Sequence, residues 1–107
     1  RGKKKGDNGP KPPALGVIIE GLVVNADDEV IIPEAEVSAT IAGSEVHETT
    51  TTDANGAFTI TIQELPETGE NEVKIQITHP EFETTIITKL VEAGNAYEVD
   101  ISMPPTA

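Results

Sequence analysis

Apolar side chains recur at every second position over short stretches of this chain, the period of a β-strand with one buried face. Val73, Ile75 and Ile77 alternate with Lys74 and Gln76, and Phe58, Ile60 and Ile62 alternate with Thr59 and Thr61. Ala35, Val37, Ala39 and Ile41 repeat the pattern, as do Tyr97, Val99, Ile101 and Met103. The reading predicts strands at Leu15–Asn25, Ala35–Ala42, Glu45–Thr52, Ala57–Gln63, Glu72–Thr78, Phe82–Val91 and Tyr97–Met103. Val30–Ile32 is expected to be a brief extended piece that Pro33 stops. Gly21 interrupts the first strand, so a bulge or a close approach is expected there. No segment carries a helical period.

Turn residues separate these runs. Gly43-Ser44, Pro80-Glu81 and Ala93-Gly94-Asn95 are short connections, and Asp53-Ala54-Asn55-Gly56 combines an Asx turn with a residue free to take positive φ. Seven strands with one wet face each are satisfied together when two sheets pack apolar face to apolar face. The expected fold is therefore all-β, an antiparallel sandwich. Thirteen threonines suit the solvated faces of such sheets.

At 107 residues and 36% apolar, the chain holds one thin core. No run approaches the roughly 18 apolar residues of a membrane-spanning helix. With no cysteine, neither a disulfide nor a thiolate site is available. Residues 1–13 are Gly- and Pro-rich and read as a basic extension, with residues 14–107 as the sandwich domain. The chain opens at Arg1 without a signal peptide, as expected of a processed or excised chain.

Charge is unevenly divided. Residues 1–11 carry Arg1, Lys3, Lys4, Lys5 and Lys11 against Asp7 alone, while the remainder sets Lys74 and Lys89 against eighteen acids. A body of net −16 repels phosphate backbones, which excludes nucleic acid as a partner. The division fits a solvated surface with a basic leader. After that reading, it also fits attraction between the leader of one copy and the body of another.

Candidate chemistry is sparse. His47 and His79 lack any metal-binding or catalytic spacing, and no nucleophile elbow, P-loop or dinucleotide fingerprint occurs. Calcium is the one cofactor the residues suggest: Asp27, Asp28 and Glu29 in one loop and Asp53 and Asn55 in another offer oxygen ligands, although neither loop has EF-hand spacing. Asx turn chemistry explains the same residues. A Lys–Asn cross-link needs a buried pair on adjacent strands; Lys74 alternates onto a polar face and Lys89 lies near a strand end. Thr49–Thr52 reads as β-propensity before it reads as a site for O-linked sugar.

Three stretches stand out: Ile19-Glu20-Gly21-Leu22-Val23 with Ile32-Pro33-Glu34-Ala35-Glu36-Val37; Thr51-Thr52-Asp53-Ala54-Asn55-Gly56-Ala57-Phe58; and His79-Pro80-Glu81-Phe82-Glu83. Together they resemble the carboxypeptidase regulatory-like domains of the transthyretin-like group. Glu34 stands where that family often has Gly, and Phe82 where it commonly has Tyr. The resemblance implies a seven-stranded Greek-key sandwich, immunoglobulin-like or transthyretin-like. It also implies a non-catalytic module of a secreted or cell-surface protein. Transthyretin-like folds include a 5-hydroxyisourate hydrolase with paired His, an Arg and a C-terminal Tyr-Arg-Gly-Ser. This sequence ends Met103-Pro104-Pro105-Thr106-Ala107 and its one Arg is Arg1, so that activity is not expected.

Two functions follow as expectations, both extracellular or at the cell surface. The first is a self-assembling, pilus-like filament subunit. Lys3, Lys4, Lys5 and Lys11 would meet the acidic body of the next copy, and Leu15, Val17 and Ile19 of an over-long first strand would add to its sheet edge. The alternative is a monomeric accessory binding module of a surface lipoprotein or larger secreted protein, tethered to a membrane or cell surface through its N-terminus.

Overall fold

The computed structural model describes residues 12–106. Among the described residues seven strands follow one another without a helix: β1 (Val17–Asn25), β2 (Glu36–Ile41), β3 (His47–Thr51), β4 (Ala57–Ile62), β5 (Glu70–His79), β6 (Phe82–Glu92) and β7 (Asn95–Met103). They form a three-stranded sheet of order β4-β1-β7 and a four-stranded sheet of order β3-β2-β5-β6. The expected strands are present with shifted ends. Leu15 is not part of β1, because the chain turns there and the Gly16 N–H donates to the Pro13 carbonyl at 3.1 Å. Val30–Ile32 is no strand; Ile31 makes one isolated bridge to Val24.

Every ladder is antiparallel except β1 with β7, which is parallel along the whole of β1. Parallel neighbours need a long crossover. Here the two strands are the first and last of the domain, so everything between them serves as that crossover. The expectation of an antiparallel sandwich is corrected at this one pair.

The core lies between the sheets. Val17, Ile19 and Val23 of β1, Phe58, Ile60 and Ile62 of β4, and Ile101 and Met103 of β7 face Val37, Ala39 and Ile41 of β2 and Val73, Ile75 and Ile77 of β5. Gly21 stands on the same inward face, level with Phe58 on one side and Val99 on the other. No bulge forms there, since both ladders run through it in register. The Phe58 ring and Val99 instead occupy the space that a Cβ would need, the close approach that a bare backbone permits.

The Asp53 turn is an arch rather than a hairpin, because β3 and β4 belong to different sheets. Asp53 Oδ1 accepts from the N–H groups of Asn55 (2.8 Å) and Ala57 (3.0 Å), and Gly56 takes φ 76°. Beside it Thr52 is only 3% exposed. Its hydroxyl donates to the Ile32 carbonyl and accepts from the Ala35 N–H, each at 2.8 Å. That hydroxyl ties the end of β3 to the chain entering β2.

Candidate functional site

β1 and β7 finish at the end of the sandwich where β5 turns into β6 and β3 arches into β4. The chemistry-bearing loops therefore share one end. Asp27, Asp28, Glu29, Asp53 and Asn55 all lie there, exposed. Two of these carboxylates serve the loops themselves: Asp28 Oδ1 accepts from the Val30 N–H at 3.0 Å and Asp53 Oδ1 holds its arch, while the neighbouring Asn25 Oδ1 accepts from the Asp27 N–H at 2.8 Å. Among the described residues, no group of three or more His, Asp or Glu is arranged to hold a metal ion.

A groove of about 520 Å³ opens at the same end, between the β1–β2 loop and the β5–β6 turn. Val30, Ile31, Pro33, Pro80 and Phe82 supply its apolar lining. Val30 and Ile31 are 58% and 40% exposed, whereas Ile32 is buried and donates its N–H to the Val23 carbonyl at 2.9 Å. Anchoring one isoleucine and turning the preceding two residues outward takes unusual backbone on each side. Glu29 and Glu34 bracket the segment, each at φ 63°, in the left-handed region that costs a residue with a Cβ about 1–2 kcal/mol. Asp28, Glu34 and Glu81 bring carboxylates to the lining. His79 closes the far side. Its Nδ1 accepts the Glu81 N–H at 3.1 Å, and its ring meets Phe82 edge-on with centroids 5.3 Å apart. The C-terminal segment braces this wall, with the Glu83 N–H donating to the Pro104 carbonyl at 2.8 Å.

The other sequence-predicted positions lie elsewhere. Lys3, Lys4, Lys5 and Lys11 fall outside the described residues. Leu15 is 62% exposed at the opposite end, where its carbonyl accepts from the Leu65 N–H at 2.8 Å. Val17 and Ile19 are fully buried, and their strand is the middle one of its sheet, paired on both sides. The expectation that they donate a strand to another copy is corrected: β1 has no free edge and its inward side chains are the domain's own core. His47 starts β3 beside Thr40, whose other neighbour is Lys74, far along β5 from His79. Lys74 is exposed on the outer face, and Lys89 lies over the Tyr97 ring, 5.6 Å from its centroid. The buried Asn71 bonds to Glu67 and Gly69 and faces Val91 in register rather than a lysine. Thr49 and Thr51 are exposed, but Thr52 is enclosed.

Two features escaped the sequence pattern. Thr52 read as the last of a run of solvated threonines, and Val30 and Ile31 read as part of a brief extended piece rather than the wall of a groove. Pro33 and the uninterrupted Val30-Ile31-Ile32 run, which lacks alternation, were the available signals for a loop.

A three-stranded and a four-stranded sheet, packed with β1 and β7 parallel, define a transthyretin-like β-sandwich. The sequence model of the carboxypeptidase regulatory-like domain matches residues 18–104, and the chain belongs to that family. No curated protein matches the sequence. Among solved structures the chain is similar to 3-chlorocatechol 1,2-dioxygenase from Rhodococcus opacus, with TM-score 0.64 and 12% identity over 90% of this chain and 64% of that one. It is similar to a candidate carbohydrate binding protein from Bacteroides uniformis, with TM-score 0.62 and 10% identity over 87% of this chain and 42% of that one. It is also similar to the 5-hydroxyisourate hydrolase of Klebsiella pneumoniae, with TM-score 0.59 and 12% identity over 84% of this chain and 92% of that one. At such identities the likeness is one of fold. The chain spans less than two thirds of the first two proteins.

Proposed function

We propose that this chain is a non-catalytic structural module of the cell surface or extracellular space. In this reading it is a filament or pilus-like subunit whose N-terminal extension contacts the next copy. The observation that carries the reading is the division of charge: five of the seven cations precede residue 12, and the body that follows is net −16. Opposite fields on one chain attract copies head to tail, and a contact of that kind builds a filament where its rotation does not close a ring. The first strand plays no part in the contact, because Val17 and Ile19 belong to its own core. A non-catalytic role is supported by the separation of the two imidazoles and by the use of His79 Nδ1 as a turn acceptor.

Light scattering and electron microscopy of the full chain at 50 mM and 500 mM NaCl test the reading. Assembly at low salt that is lost at high salt, and lost when Lys3, Lys4 and Lys5 are replaced by Glu, is the expected result. A chain that remains monomeric at high concentration and low salt overturns it in favour of the accessory binding module. That second reading draws on one specific observation: the chain covers only 64% and 42% of two proteins that share its fold, as a module of a longer protein does.

A further inference from the structure

We propose that the groove between the β1–β2 loop and the β5–β6 turn receives residues 1–11 of a second copy of this chain. The inference rests on the self-contact reading above and names its receiving surface. Val30 and Ile31 present apolar area to solvent at the end of the molecule that also carries Asp28, Glu34 and Glu81. The basic group at the groove, His79, already accepts a hydrogen bond at Nδ1 and packs its ring on Phe82. The surface therefore suits a ligand that is cationic, slender and partly apolar. The N-terminal segment has that chemistry: Arg1, Lys3, Lys4, Lys5 and Lys11 in a stretch that ends Pro10-Lys11-Pro12-Pro13. Proline-rich chain is extended and loses little entropy when bound, and its rings fit grooves lined by apolar and aromatic side chains.

Distance favours a neighbour's segment over the chain's own for most of the cations. The segment joins the domain at Pro12, beside the start of β1, and the groove lies past the end of β1. Nine strand residues separate those ends by about 30 Å. At full stretch from Pro12 the chain spans about 24 Å to Lys5 and about 31 Å to Lys3, so its own groove is out of reach of Lys5 and Lys11 and within reach of Lys3 and Arg1 only in a fully extended chain. A copy stacked end to end presents its groove to the end at which Pro12 joins the domain. Binding is expected to be largely electrostatic at the rim, hence salt-sensitive, with the apolar floor fixing position.

The test titrates a synthetic peptide of residues 1–13 into dilute, isotope-labelled full chain and follows backbone amide shifts. Saturable shifts at Val30, Ile31, Glu81 and Phe82, with affinity falling at least tenfold between 50 and 300 mM NaCl, are expected. The same loss is expected in the double variant Val30→Lys, Glu81→Lys. Both positions are exposed, and an unchanged circular dichroism spectrum and melting curve certify the fold. Shifts confined to the Glu64–Gly69 loop and Ala93 at the opposite end, or affinity indifferent to the double variant, overturn the proposal. Salt-sensitive assembly that persists undiminished in the double variant also overturns the groove while leaving the self-contact reading standing. A full chain that is monomeric under all conditions overturns both.

Discussion

Replacing Thr52 by Val keeps the shape of the side chain and removes one hydroxyl, yet it is expected to be among the costliest single changes in this domain. The hydroxyl is 3% exposed as part of its residue and bonds in two directions, to the Ile32 carbonyl and from the Ala35 N–H. Ile32 and Ala35 are themselves 2% and 0% exposed, so water does not readily replace the lost partner. A buried polar group left without a partner costs about 1–3 kcal/mol. Two such groups, partly relieved by local relaxation, give an expected destabilisation of about 2–3 kcal/mol. A domain of this size has on the order of 5–10 kcal/mol in hand, and each kcal/mol shifts its melting temperature by about 4–8 °C. The expected drop is therefore about 10–20 °C. Thr52→Ser, which keeps the hydroxyl and loses a methyl group, is expected to cost no more than about 1 kcal/mol. Urea unfolding with a shared m-value is the assay, supplemented by exchange of the Ala35 amide, which should lose protection in the Val variant alone. A Thr52→Val chain within 0.5 kcal/mol of wild type, on the scale where such losses begin, would falsify the claim that this hydroxyl locks the β1–β2 passage.

The remaining expectations concern backbone, packing and metal. Gly21→Ala places a methyl group where the Phe58 ring and Val99 now lie, an overpacking cost of about 1–3 kcal/mol. Adding Phe58→Leu to Gly21→Ala should cost less than the sum of the single changes in a double-mutant cycle, and strict additivity would show that the ring is not the obstacle. Glu34→Gly removes a Cβ from a position at φ 63° and should raise stability by up to about 1 kcal/mol despite the added freedom of the unfolded chain; a loss of stability would contradict the strain. Calcium at 1 mM or EGTA is expected to move the melting temperature by less than about 1 °C, because the Asp28 and Asp53 carboxylates are engaged as turn acceptors and a ligand raises stability only in proportion to its affinity for the folded state. A calcium-dependent rise would restore the loop oxygens as a metal site.

What the linear order of residues determined by itself is local: which stretches extend, which of their side chains turn inward, and where the chain reverses. Alternation of Val73, Ile75 and Ile77 or of Phe58, Ile60 and Ile62 encodes a strand and its buried face within a handful of residues. The Asp53–Gly56 turn carries its own hydrogen-bonding groups, and the charge division is a matter of counting. The tertiary structure alone decided what depends on neighbours far apart in sequence. It placed β1 between β4 and β7, which made Val17 and Ile19 core rather than an exchangeable edge, and it made the first and last strands parallel. It turned Thr52 inward against a loop seventeen residues away, and gave Glu34 the left-handed conformation in which its family often places Gly. It brought the β1–β2 loop against the β5–β6 turn to open a groove. Side-chain alternation constrains a strand's faces, but pairing order is a choice among many nearly equal ladders. That choice is made by how both sheets bury their apolar faces together.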